Sequence, residues 1–214
     1  MKKILTIVLT VLMVICLGAC SNKMETVSEE ASVSENTEAV KEESTESGEL
    51  QGNTKVEGKV LVAYFSATGT TKGVAEKIAK LTDGDLYEIV PAEVYSDADL
   101  NWNDSNSRST KEQNDKSVRP GIGSETLDLS AYTTIYLGFP IWWGEEPRIL
   151  DTFVESYKFD GITMIPFCTS SSSGIGRSGP NMEELAKSGT WLEGRRFAGS
   201  VSEADLQTWI DGLN

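Results

Sequence analysis

The amino-acid sequence predicts an α/β domain, a parallel sheet with helices on both faces. Three observations carry that prediction. Short, nearly continuous apolar runs such as Lys59-Val60-Leu61-Val62-Ala63-Tyr64-Phe65 suit strands buried on both faces. Segments with apolar residues at helical spacing follow them. The two kinds alternate along the chain, which implies right-handed crossovers between parallel strands.

The elements follow in order. After the first strand, Thr70 to Leu81 sets Val74, Ala75, Ile78, Ala79 and Leu81 on one helical face. Leu86 to Val90 is a short strand that Pro91 stops. From Ala92 to about Leu127 the chain is polar and rich in Asp, Asn and Ser, a long excursion that is either functional or mobile. Thr133 to Phe139 is the next buried strand. Pro147 to Tyr157 is a helix with Ile149, Leu150, Phe153 and Val154 inward. Ile162 to Phe167 is the fourth strand, Pro180 to Lys187 a helix and Arg195 to Gly199 the fifth strand. The final helix starts at Ser202, where Ser202-Glu203-Ala204-Asp205 resembles a capping box with Asp in the Glu position.

This domain occupies residues 56–214 of the 214-residue chain. Residues 1–20 read as a leader: Lys2 and Lys3, an apolar run from Ile4 to Leu17 too short to span a bilayer comfortably, then Leu17-Gly18-Ala19-Cys20. That ending resembles the lipobox of bacterial lipoproteins, which implies cleavage before Cys20 and lipidation of its thiol. Acyl chains would then hold the protein on the extracytoplasmic face of the cell membrane. Residues 21–55 carry nine Glu against three Lys and almost no large apolar side chains, the composition of a disordered acidic tether. With Cys16 in the leader and Cys20 lipidated, Cys168 is the one remaining thiol, so no intrachain disulfide is expected. Lacking a partner cysteine, Cys168 reads as a packed thiol.

Composition narrows the function. Histidine is absent, which excludes a Ser-His-Asp triad, a histidine base and a His-ligated metal site, and no metal is expected. A formal net charge of −14 argues against nucleic acid as a partner, since phosphate backbones need clustered Lys and Arg.

Ligands of such sheets sit beyond the carboxyl ends of the strands, so the loops after the first, third and fourth strands carry the chemistry. The first is Ser66-Ala67-Thr68-Gly69-Thr70-Thr71, with four hydroxyls, a glycine and the free amides of a helix N-terminus, a setting that favours a phosphate. Neither the spacing of a triphosphate loop nor Gly-x-Gly-x-x-Gly is present, so a monophosphate fits best. The competing reading is a plain helix cap. The second loop holds Pro140-Ile141-Trp142-Trp143-Gly144. Two adjacent tryptophans cannot both point into one core, so at least one offers a flat face to the crevice. The third, Phe167-Cys168-Thr169-Ser170-Ser171-Ser172-Ser173-Gly174-Ile175-Gly176, is small, polar and dense in donors that suit the polar edge of a planar ring.

A phosphate on a short chain joined to a large flat heterocycle describes flavin mononucleotide (FMN). Residues 59–214 resemble the flavodoxin family: the first loop is similar to its Ser/Thr-x-Thr-Gly-x-Thr, and Pro140–Gly144 falls where that family sets an aromatic against the isoalloxazine. The resemblance implies five parallel strands in the order 2-1-3-4-5, of the short-chain type, with FMN bound non-covalently by Ser66, Thr68, Gly69, Thr70, Thr71, Pro140, Ile141, Trp142, Trp143, Gly144, Thr169, Ser170, Ser171, Ser172 and Gly174. The third loop departs from the family in being a serine run, which leaves open what covers the outer ring face. The excursion, with Tyr95, Arg108 and Arg119, is longer than in the smallest flavodoxins and either folds over the cofactor or receives a second substrate.

The expected function is a membrane-tethered electron carrier that serves a redox partner protein, with no catalytic side chain of its own. The alternatives are an FMN-dependent oxidoreductase acting on a nicotinamide or quinone substrate, and a flavin-free binding module. Glu145 and Glu146 are expected near the ring. A carboxylate about 6 Å away opposes its negative charge by roughly 3 kcal/mol, which implies a low second reduction potential. The plainer reading is that both acids cap the following helix.

Overall fold

The computed structural model describes residues 58–213; the leader, Cys20 and the 21–55 tether read from the sequence lie outside them. Among the described residues no helix is long and apolar enough to cross a membrane. The elements are β1 (Lys59–Tyr64), α1 (Thr70–Thr82), β2 (Asp85–Glu88), α2 (Arg108–Asn114), β3 (Tyr132–Pro140), α3 (Arg148–Ser156), β4 (Thr163–Thr169), α4 (Ser178–Ala186), β5 (Thr190–Trp191), β6 (Arg195–Phe197) and α5 (Glu203–Asp211).

All pairings are parallel, in the order β2-β1-β3-β4-β5, with β6 also on β4. The register sets Val62 beside Tyr136 and Tyr136 beside Ile165. Strand residues alternate between faces, so that row packs with Val74 and Ile78 of α1 and with Leu206 and Trp209 of α5. The neighbouring row, Leu61, Ile135 and Met164, packs with Ile149 and Phe153 of α3 and Met182 of α4. Both faces are covered, which is why the strands read as continuous apolar runs.

The fifth strand differs from expectation. Instead of one segment from Arg195 to Gly199, two short ones flank residues 192–194. Thr190 and Trp191 pair with the start of β4, and Arg195 to Phe197 with its end. The break has a cause in β4. The Ile162 and Met164 carbonyls accept the Thr190 and Leu192 amides, so alternate residues of β4 face this edge. The next on that side is Pro166, which has no N–H to donate. Gly194 lies against it, where an added Cβ would come 2.8 Å from the Pro166 carbonyl oxygen.

The polar excursion is ordered by its own hydrogen bonds. Ser107 caps α2 by accepting the Thr110 amide. Arg108 donates to Glu112 at 2.7 Å and to the Glu93 carbonyl at 2.6 Å, and its guanidinium lies 4.1 Å from the centre of the Tyr95 ring. Tyr95, buried, donates to Glu112 and packs on Phe65 and Trp142. At the far end of the chain Ser202 accepts the Asp205 amide, and its hydroxyl donates to the Asp205 carboxylate. The cap is therefore formed, but not by a reach back to the backbone.

Beneath this excursion sits a buried charge cluster. The Arg148 guanidinium donates to Glu145 at 2.7 Å and to Asp151 at 3.3 Å and lies 3.8 Å from Glu146. Arg119 holds Glu155 through two bonds and approaches Asp151 at 3.7 Å. Burial, then the nearby Glu146 charge, pushes the Asp151 carboxyl up to about 6, against the pull of both arginines.

Two predictions follow from this packing. An added Cβ at Gly138 would lie 2.2 Å from the Phe167 ring, so Gly138→Ala overpacks the centre of the sheet and is expected to lower stability by about 1–3 kcal/mol in urea unfolding. For Asp151 the raised value fixes the sign. Between about pH 4 and pH 6 the native state holds a proton that the unfolded chain has released, so this group's contribution falls as pH rises and is fully lost above pH 6. Asp151→Asn removes that titration. The stability of the wild type relative to the variant is expected to fall by about 3 kcal/mol from pH 4 to pH 7, measured by urea unfolding at each pH.

Candidate functional site

The carboxyl ends of β1 and β3 open onto one cavity of about 440 Å³. Of the residues expected to bind a ligand, Ser66, Thr68, Thr71, Pro140, Ile141, Trp142 and Trp143 line it. No ionisable side chain does. Its size is that of a pocket for one organic ligand.

Gly69 occupies the N-cap of α1 with φ +84° and makes no side-chain cap bond of its own. That backbone favours glycine, and an added Cβ there would meet nothing within 4 Å, so the mouth of the helix is open. The Ser66 hydroxyl reaches past it to accept the Lys72 amide at 3.2 Å. Thr70 stands exposed at the first helical position. Thr71 is buried, with its hydroxyl 2.8 Å from that of Thr169. The helix-cap reading therefore holds for one of these hydroxyls, since Ser66 takes the Lys72 amide of the first turn, and not for the others. The N-terminal end of α1, with the Thr70 and Thr71 amides left unbonded and its positive dipole end, is a setting for an anion.

The second loop is a tight turn. The Trp142 amide donates to the Glu145 carbonyl at 3.0 Å, and the Glu145 amide returns the bond at 3.1 Å. Trp143 at φ +50° and Gly144 at φ +87° occupy its centre, the left-handed pair of a type I′ turn. Glycine is at ease there; a bulky aromatic is not. The two tryptophans diverge as adjacency requires. Trp142 is half-buried and meets Phe65 and Tyr95 edge-on at 5.5 and 5.3 Å, whereas Trp143 is 46% exposed. Both border the cavity.

Below the turn, Gln113 of α2 donates its side-chain amide to the Trp142 carbonyl at 3.0 Å and to the Glu146 carbonyl at 3.2 Å. Nothing in the sequence marks this glutamine, since its partners lie about thirty residues away. Glu145 and Glu146 also differ from expectation. Neither lines the cavity. Glu145 is bonded to Arg148 at 2.7 Å and to Lys116 at 3.1 Å, and these bonds hold its carboxyl below the usual range. Glu146 is buried, which pushes its carboxyl up, and it accepts from Asn181 at 3.2 Å. Paired or buried in this way, neither supplies the free negative charge beside the ring on which the expected low potential rested.

The third loop begins beside the cavity, where Thr169 meets the Thr71 hydroxyl at 2.8 Å and accepts the Ile141 amide at 3.1 Å. Thr169, Ser170, Ser171, Ser172 and Gly174 are not among the residues that line the cavity. Arg196 of β6 donates to the Ser170 carbonyl at 2.8 Å and also to that of Ser171. In its stead the excursion supplies Leu100, Trp102 and Ser109. The signal for these was an isolated tryptophan in an otherwise Asp-, Asn- and Ser-rich stretch. Cys168 is fully buried and its thiol is pushed up to about 12 by that burial, a packed side chain. Among the described residues no cluster of His, Cys, Asp or Glu is placed to hold a metal ion.

The flavodoxin family model matches residues 59–213. No curated protein sequence matches the chain. Among solved structures, a candidate flavoprotein from Bacteroides uniformis is 46% identical, with a TM-score of 0.69, over 72% of this chain and 98% of its own. One from Bacteroides eggerthii is 43% identical, with a TM-score of 0.69, over 73% of this chain and 98% of its own. A Lactobacillus acidophilus flavoprotein solved in complex with FMN shares the fold at 23% identity and a TM-score of 0.55, over 72% of this chain and 99% of its own. From the strand order, the loop after β1 and this match, the chain belongs to the flavodoxin family.

Proposed function

We propose that this chain binds FMN without a covalent bond and carries electrons on the extracytoplasmic face of the cell membrane, held there by lipid at Cys20. The observation that carries the FMN reading is the glycine-opened N-terminus of α1 on the same uncharged cavity as a tryptophan held in a left-handed turn. The donor set fits the group. Amides at the start of α1 and the hydroxyls of Ser66, Thr68 and Thr70 suit a phosphate, with the helix dipole in place of a lysine. Trp142, Trp143, Pro140 and Ile141 suit a flat ring. FMN supplies one- and two-electron chemistry when bound, and the chain's part is to hold it and set its surroundings.

An acidic domain steers toward a basic partner surface, so a redox partner protein of that charge fits best. The second reading, an FMN-dependent oxidoreductase, draws support from the ordered excursion wall beside the cavity. A nicotinamide dinucleotide suits that wall less well than a quinone, because no Lys or Arg lines the cavity to meet its phosphates.

Purified protein mixed with one equivalent of FMN is expected to stay yellow through gel filtration, with flavin emission quenched. A colourless protein would leave a flavin-free binding module as the reading. Trp143→Asn creates the Asn-Gly pair that a type I′ turn prefers. It is expected to raise stability by about 1 kcal/mol in urea unfolding while weakening FMN about tenfold in a fluorescence titration, because the strain is relieved and the stacking face is lost.

A further inference from the structure

Residues 169–174 of the third loop do not line the cavity, whereas residues of the excursion do. The serine run is turned to other work, its carbonyls held by Arg196 and Thr169 tied to Thr71. One large flat side chain on the same cavity has no partner role in the fold. Trp102 is 73% exposed and lines the cavity beside Leu100, on a segment that is firmly built. Residues 96–109 around it are closed by Ser96 bonded to Asp99, by Ser109 donating to the Asp99 carbonyl at 2.6 Å, and by Asn101 and Asp104 accepting amides two residues on. Tyr95 and Arg108 anchor that segment to Trp142. An indole left in water on an ordered loop at the rim of an uncharged pocket is a surface awaiting a flat ligand.

We propose that Trp102 is the second aromatic plate of the flavin site, so that the excursion, and not the loop after β4, closes over the ring. This rests on the FMN reading above. It assigns the excursion a purpose: it brings an aromatic from the β2–β3 connection to a ring that Trp143 meets from the β3–α3 turn. The cavity, of a size for one organic ligand, favours this role for Trp102 over a platform for a second flat substrate.

The test is an FMN titration of the full chain, followed by flavin fluorescence, with unfolding midpoints as the control on the fold. Trp102→Ala is expected to raise the dissociation constant about tenfold and to restore part of the bound flavin's emission. Trp102→Phe should recover most of the affinity. Ser171→Ala with Ser172→Ala should stay within about twofold of wild type. Because Trp102 is exposed, its variants should unfold at the wild-type midpoint. A Trp102→Ala protein that binds and quenches FMN like wild type overturns the proposal, and so does a tenfold loss in the serine variant. If Trp102→Ala binds FMN normally but passes electrons more slowly to a soluble benzoquinone after dithionite reduction, Trp102 serves the acceptor and the proposal fails. Wild-type protein that takes up no FMN fails at the first titration, and that result sinks the FMN reading itself.

Discussion

Gln113 reaches from α2 under the Trp142–Glu145 turn and gives both of its amide hydrogens to backbone carbonyls at 3.0 and 3.2 Å. Arg148, at the start of α3, ties the other side of the same turn through Glu145 and lies 3.4 Å from the Gln113 carbonyl. The left-handed backbone of Trp143 persists because it is held at both ends. A bulky residue at positive φ costs about 1–2 kcal/mol, and an isolated turn would relax it. The shape of the cavity depends on this brace. The excursion packs on Trp142, the rim is set by Trp143, and α3 begins where the turn ends.

The brace also decides the electrostatics. One buried guanidinium serves Glu145, Glu146 and Asp151. Two of these three carboxylates are buried, Glu146 and Asp151, and the structure treats the three unequally. Glu145, half-exposed and shared with Lys116, stays ionised, while burial raises Glu146 and Asp151. Charge is thus spent beneath the turn, and the cavity wall stays neutral. For a cofactor whose reduced ring gains negative charge, a neutral low-dielectric wall with an aromatic face sets the potential through desolvation and stacking, not through one nearby carboxylate.

The sheet was legible because both of its faces are covered: residues 60–65, 133–139 and 162–167 could only be buried strands. The split of the fifth strand was hidden in a different strand, in the missing amide of Pro166. The phosphate loop was legible as chemistry, since Ser66, Thr68 and Gly69 show their type locally. The serine run showed its chemistry in the same local way but not its placement, and it does not line the cavity. Hydroxyl density gives donors without direction, and the backbone that carries them is held by Arg196 on β6. The excursion was opaque because its order comes from Tyr95, Arg108 and Glu112 meeting across up to seventeen residues, a pairing with no periodic signature.

On the carrier reading proposed above, the excursion changes what electrons would cross. Here an ordered segment with Leu100 and Trp102 borders the cavity, and its neighbours Asp97, Asp99 and Asp104 are acidic. A partner protein of the kind proposed would, on this side, meet an indole first and carboxylates around it. That combination favours a basic, apolar-centred surface: attraction at long range through the acids, then stacking or burial at the indole. The same indole cannot both cover the ring tightly and yield to a partner without moving. The two demands are reconciled if Trp102 contributes modest stacking while the braced Trp143 contributes the permanent face. The inequality is built into the backbone: Trp143 is fixed by a strained, hydrogen-bonded turn, and Trp102 sits on a turn that carries no such strain.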